Sequence, residues 1–193
     1  MFKWKNLLAA ALLAATTQAW AAPILSAEAT PNPATPGSSL NVDVRIADVV
    51  DLYGYQFTLN YDASLLQATG ITEGSFLGAG GPTFWYVDGI DNSAGSISFV
   101  LGSLFGPEPG VSGSGSLANI AFEAIGSGNA ALSFSDLLFL DSSSTDIAVE
   151  AGTLLIGIAA APADVPEPAS LALFGIGLAG AGLLRRRAAP ARA

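Results

Sequence analysis

SLNVDVRIA (39–47) and, shortly after it, YGYQFTLNY (53–61) decide the fold. In the first stretch Leu40, Val42, Val44 and Ile46 alternate with Asn41, Asp43 and Arg45. In the second, Tyr53, Tyr55, Phe57, Leu59 and Tyr61 share one face, and Gln56, Thr58 and Asn60 the other. Successive side chains of an extended chain point to opposite sides, so a period of two with one apolar face reads as a half-buried strand. Working outward, the same reading yields strands at 24–30, 65–71, 83–88, 95–103, 116–124, 129–140 and 145–158. Stretches rich in Gly, Pro, Ser, Asn and Asp separate them, as in TPNPATPGSS and FGPEPGVSGSGS. About nine short strands with turns between them predict an all-β fold, a two-sheet sandwich with no helix in its body.

Local irregularities carry information too. Leu117 is out of phase with Ile120 and Phe122, which predicts a bulge or a late strand start. Asp62 precedes ASLL and is placed to cap a single turn over 62–66. Phe84-Trp85-Tyr86 puts aromatic rings on both sides of one strand: either Trp85 points outward, or Phe84 and Tyr86 do.

Charge is distributed unevenly. Arg45 is the only basic residue between Ala22 and Glu167, a segment that holds all sixteen acidic residues. Phosphate backbones are bound by clustered Lys and Arg, so nucleic acid is excluded as a partner. The chain has no cysteine and no histidine. The core must therefore hold without disulfides, which some 140 residues suffice to do. A serine nucleophile would lack its usual base and zinc its commonest nitrogen ligand, so the reading is non-enzymatic.

A resemblance emerges along TPNPATPGSSLNVDVRIADVVDLYGYQFTLNYDASLLQATGITEGSFL (30–77). Gly37, Gly54, Gln56, Phe57, Leu59, Tyr61, Asp62, Leu65, Leu66, Glu73 and Gly74 fall where cohesin domains carry such residues, and SLANIAFEA (116–124) is similar to a later cohesin strand. The resemblance spans roughly residues 24–158 and rests on core and turn positions. It implies a nine-stranded jelly-roll β-sandwich that binds protein. In cohesins of cellulolytic systems the partner is a calcium-loaded dockerin, so a dockerin-like protein is one expected ligand.

The two ends read as addresses. At the N-terminus Lys3 and Lys5 precede an apolar run, and Ala19-Trp20-Ala21 is a small-x-small cleavage site, the pattern of a secretory signal peptide cut after Ala21. At the C-terminus Val165, Pro166, Glu167 and Pro168 precede the uncharged run 171–184, and Arg185, Arg186 and Arg187 follow it. As a helix that run would reach about 21 Å, short of a ~30 Å hydrocarbon core. The arginines would stay cytoplasmic. Motif, short helix and arginine stop in this order resemble the PEP-CTERM sorting signal. That resemblance implies processing by an exosortase in Gram-negative bacteria that make extracellular polysaccharide, with transient insertion in the inner membrane. An ordinary C-terminal membrane anchor is the alternative.

The expected organisation is a signal peptide at 1–21, a sandwich at 22–158, a Pro/Ala linker at 159–164, the sorting signal at 165–187 and a tail at 188–193. The protein is expected to be exported, membrane-tethered before tail removal and in the envelope or extracellular matrix after it. No cofactor is implied. Asp88 and Asp91 in DGIDN, and the loop Asp141–Asp146, are rich enough in oxygen to suit calcium, but neither has an EF-hand register, and Asp and Asn are also ordinary turn residues. Gln56, Thr58 and Asn60, outward on one strand, are candidate contacts for a protein partner. Trp85 or a neighbouring aromatic is a candidate for stacking on a polysaccharide. A structural matrix protein without a specific ligand is the remaining reading.

Overall fold

The computed structural model describes residues 21–160. Ten strands follow one another: β1 Ile24–Thr30, β2 Ser39–Tyr61, β3 Leu66–Glu73, β4 Thr83–Tyr86, β5 Gly89–Asp91, β6 Ser96–Leu104, β7 Val111–Ala124, β8 Gly128–Asp141, β9 Glu150–Ala151 and β10 Leu154–Ile158. One helical turn, α1 Ser75–Gly78, lies after β3. It forms where no helix is expected, and it buries Leu77.

The two opening stretches belong to one continuous strand. The first part of β2 pairs with β1 through Asn41–Ala47 and with β7 through Ser39–Ile46. Its second part pairs with β6 and β8 through Gly54–Asn60. Two layers result, which we call A (β9-β1-β2-β7-β3) and B (β4/β5-β6-β2-β8-β10), and β2 runs through both. Asp48 (φ 56) and Asp51 (φ 59) mark the crossing. Aspartate tolerates this left-handed region better than most residues, and here hydroxyl oxygens of β7 accept from both backbone N–H groups: Ser114 Oγ from Asp48 and Ser112 Oγ from Asp51, each at 2.9 Å. The architecture is the expected cohesin-like β-sandwich, with the predicted strand at 145–158 divided into β9 and β10.

The core lies between the layers. Layer A contributes Leu25, Val42, Val44, Ile120 and Phe122; layer B contributes Phe57, Leu59, Ile97, Leu132 and Phe139. Tyr61 and Phe122 meet edge to face across the interface, with centroids 5.0 Å apart. The irregularity at Leu117 is a bulge: Val44 faces Ala118 but Arg45 faces Ser116, so Leu117 is the extra residue and is buried. Glycine is required at Gly74, where a Cβ would lie 2.2 Å from the Ser116 carbonyl oxygen.

Edges are managed by local chemistry. The N–H of Ala34 and the side chain of Asn32 reach the outer rim of β10, so that rim is covered. Asn92, at the β5–β6 turn, fastens β3 to layer B. Its Oδ1 accepts from the Ala68 N–H (2.7 Å) and the Tyr61 hydroxyl (2.6 Å), and its Nδ2 donates to the Ala68 carbonyl (3.0 Å). Among the described residues no helix is long and apolar enough to cross a membrane.

Candidate functional site

The outer face of layer B is built in rows, because each outward residue of β2 has a fixed partner on either side. Gly54 lies between Leu140 of β8 and Ser103 of β6, and beyond Ser103 stands Phe84 of β4. Gln56 lies between Leu138 and Leu101, with Tyr86 beyond. Thr58 faces Ser135, and Asn60 lies between Ser133 and Ser96. The face thus grades from apolar at the Gly54 end to polar at the Asn60 end. Gly54 has no side chain, so its row sinks into a depression of about 140 Å³ walled by Leu101, Ser103, Leu138 and Leu140.

Gln56, Thr58 and Asn60 therefore sit together at the centre of this face, each half-buried by its neighbours. Asn60 donates to Ser135 Oγ at 3.0 Å. Trp85 is elsewhere. It turns inward and packs on the core beside Tyr55, with ring centroids 6.5 Å apart. Strand alternation then sends its neighbours out, leaving Phe84 54 % and Tyr86 44 % exposed. Of the two arrangements the sequence left open, the second is the real one, and an exposed role for Trp85 is corrected.

Two bulges flank β2 at the same level. On the β6 side Phe57 faces Val100 while Leu59 faces Ile97; on the β8 side Gln56 faces Leu138 while Thr58 faces Ser135. The displaced residues Phe99 and Asp136 both have φ 52. For a non-glycine residue this region costs about 1–2 kcal/mol. The bulge in β6 turns the Phe99 ring outward, where it is 41 % exposed and lies edge to face with Tyr86 at 6.1 Å. A signal for it exists in the sequence: Ile97 and Val100 are both apolar and three apart, which breaks the period of two. In β8 the same break separates Phe134 from Phe139. The depression left no such trace, because its walls come from three strands distant in sequence.

Beneath this face the buried Tyr55 hydroxyl donates to the Leu117 carbonyl at 2.7 Å. Burial, with Glu73 nearby, pushes its pKa well above the ordinary tyrosine value. The oxygen-rich loops are occupied by their own turns. Asp91 Oδ1 accepts from the Ser93 N–H, the Ser93 hydroxyl and the Ala94 N–H, which holds its carboxyl below the usual range. Asp88 Oδ1 accepts from the Tyr86 hydroxyl at 3.3 Å, and Asp141 Oδ1 from the N–H groups of Ser143 and Thr145. Asp62 likewise accepts from the Ser64 N–H and hydroxyl as the cap of its turn. Among the described residues no three acidic side chains converge as a metal site would need. At the far end, the Asp51 carboxylate ties β2 to two loops, accepting from Gly110 N–H at 2.9 Å and the Ser142 hydroxyl at 2.7 Å.

Comparison with known proteins agrees with this geometry. A family model for the cohesin domain matches residues 27–155. The chain belongs to the cohesin family. Its cohesin domain shares its fold with a non-cellulosomal cohesin from Archaeoglobus fulgidus (19% identity, 72% of this chain and 92% of that one, TM-score 0.58). The second type II cohesin of the ScaA scaffoldin of Acetivibrio cellulolyticus is similar (19%, 77% and 96%, TM-score 0.60). So is the sixth cohesin of that organism's scaffoldin B, solved in complex with a Cel5 dockerin mutant (21%, 72% and 100%, TM-score 0.56). No curated protein matches the chain. A second model, the PEP-CTERM protein-sorting motif, matches residues 164–187 and marks the cohesin domain as exported cargo sorted to the envelope. Ala19 of the expected signal-peptide site, the sorting residues Val165–Pro168 and the stop Arg185–Arg187 lie outside the described residues, as does the short hydrophobic helix expected at 171–184.

Proposed function

We propose that this protein is an exported, non-enzymatic binding module that docks a protein partner on the outer face of layer B. Signal peptidase releases the chain after Ala21, and an exosortase processes it at Val165–Pro168. The cohesin domain then acts in the envelope or the extracellular polysaccharide matrix. The observation that carries the reading is the apolar depression over Gly54, lined by Leu101, Leu138 and Leu140, on the face that also exposes the Tyr86–Phe99 pair. Interface centres are desolvated pockets that receive a side chain from the partner, with polar groups around them. Gln56, Thr58 and Asn60 supply the polar side. A dockerin-like partner is supported by the solved complex of a similar cohesin.

The test fills the depression without touching the core. A Cβ at Gly54 would be 3.4 Å from Ser103 Oγ, an ordinary contact, so a side chain has room to start there; Gly54→Val fills the pocket, and its melting temperature is compared with that of wild type to check the fold. In cross-linked envelope fractions from the native host, Gly54→Val should lose its protein partner, while Asn41→Ala on layer A retains it. Equal capture by all three chains would refute docking on this face.

A polysaccharide ligand is a second reading, favoured by three exposed rings, Phe84, Tyr86 and Phe99. Tyr86 and Phe99 are inclined by 75°, however, so they form a notch suited to an aliphatic side chain more than a flat platform suited to a sugar. Competition by free polysaccharide, or by a calcium chelator, separates the sugar and dockerin-like ligands.

A further inference from the structure

We infer that Asp88 and Asp136 act as a charge clamp that selects, among protein partners, one whose apolar contact is bordered by lysine or arginine. The inference rests on the docking face proposed above and adds the chemistry of its occupant. Both carboxylates stand on that face at the level of Thr58, on opposite sides of it. Asp136 occupies the bulge of β8, where its Oδ2 accepts from the Ser135 hydroxyl at 3.2 Å. Asp88 follows β4, where its backbone N–H donates to the Ser98 carbonyl and its Oδ1 accepts from Tyr86. Three strand spacings separate β8 from β4 through β2 and β6, or about 14 Å. Between the two acids lie Thr58, Ser98 and the outward ring of Phe99.

No cation on the domain answers these acids. Arg45 is the only basic residue among the described residues, and it lies in the first part of β2, in layer A, paired with Asp43 at 2.8 Å. A second copy of this chain would bring the same two acids against them, so self-association through the face meets like-charge repulsion. Anionic polysaccharide and anionic lipid meet the same obstacle. A cation-bordered protein segment is the occupant that the charges admit. Rim charges of this kind act mainly on the rate of encounter and on its salt dependence.

The test starts from the full chain in its host, with p-benzoylphenylalanine replacing Phe99 or, in a second strain, Leu138. Photo-adducts are sequenced, the adducted protein is purified, and its binding to wild type and to the double variant Asp88→Asn/Asp136→Asn is measured at low and high salt. Asparagine keeps the left-handed backbone at 136 and the acceptor for Tyr86, so the variant should unfold at the wild-type temperature. The clamp predicts adducts on a protein segment flanked by lysine or arginine, an association rate reduced about 3- to 10-fold by the double variant, and an unchanged dissociation rate. Adducts on a segment without cations, or an association rate that neither salt nor the double variant moves, would overturn the clamp and leave the docking face standing. Adducts on polysaccharide, lipid or a second copy, or no adduct in either strain, would overturn both.

Discussion

Asn92→Ala tests whether one side chain holds the two layers together. The substitution removes three hydrogen bonds at once and strands the Tyr61 hydroxyl and both backbone groups of Ala68. Tyr61 and Ala68 are 6% and 4% exposed, so water replaces the lost partners poorly. At about 0.5–1.5 kcal/mol net for each bond, the expected loss is about 2–4 kcal/mol. For a domain of this size that lowers the thermal midpoint by about 6–12 °C. Once the signal peptide is gone Trp85 is the sole tryptophan, and its fluorescence in a urea titration reports the transition. Tyr61→Phe removes only the hydroxyl and should cost about 1 kcal/mol. The pair shares a bond, so the double variant should be less destabilised than the sum by roughly that amount. A single-variant loss under about 0.5 kcal/mol for Asn92→Ala, or strict additivity, would refute the clasp.

Four further outcomes follow from the geometry. Phe99→Gly relieves the left-handed strain and should stabilise the domain by about 0.5–1 kcal/mol in urea titrations, while weakening partner capture. Gly102→Ala places a Cβ 2.7 Å from the Tyr55 ring and should lower the melting temperature, by about 1–3 kcal/mol of stability, where Gly54→Ala lowers it little. The carboxyls of Asp51, Asp62 and Asp91 are held below their ordinary pKa of 3.8, chiefly by the Ser142, Ser64 and Ser93 hydroxyls. Their stabilisation is thus complete above pH 3.8 and lost as pH falls through the lowered values; with no histidine, thermal midpoints should be flat from pH 5 to 8 and fall only in acid. Intact masses from the native host should show a chain beginning at Ala22 and ending near Pro166–Pro168; a chain still reaching Ala193 in the inner membrane would mean an anchor instead of a sorting signal.

The sandwich was legible because burial on one side of each sheet imposes a period of two, and Leu40 through Ile46 and Tyr55 through Tyr61 obey it without exception. Of the breaks in that period, the bulge at Leu117 was legible and the others escaped. The joining of two strands into β2 depends on Asp48 and Asp51 adopting a backbone state that composition does not announce. Asp88, Asp91 and Asn92 read as an ion-binding string, yet Asp91 closes its own turn and Asn92 faces β3, a contact set by tertiary approach alone. On layer B, alternation put Gln56, Thr58 and Asn60 on the outward side of β2, where they are found, while Trp85 was undecidable because three successive rings give no apolar side to choose. Phe99 and Asp136 are displaced by bulges, and their outward positions follow from pairing on both flanks of β2.

β10 hydrogen-bonds along β8, β8 along β2, and β2 along β6, all within layer B. A pull on the chain beyond Ala160 would therefore load the same layer that carries the proposed docking face. Tension between tether and ligand would travel sideways from strand to strand, loading whole ladders in shear instead of opening them bond by bond. Layer A shares only β2 with that path. Its part would be ballast, covering the apolar underside of a sheet that takes the strain alone.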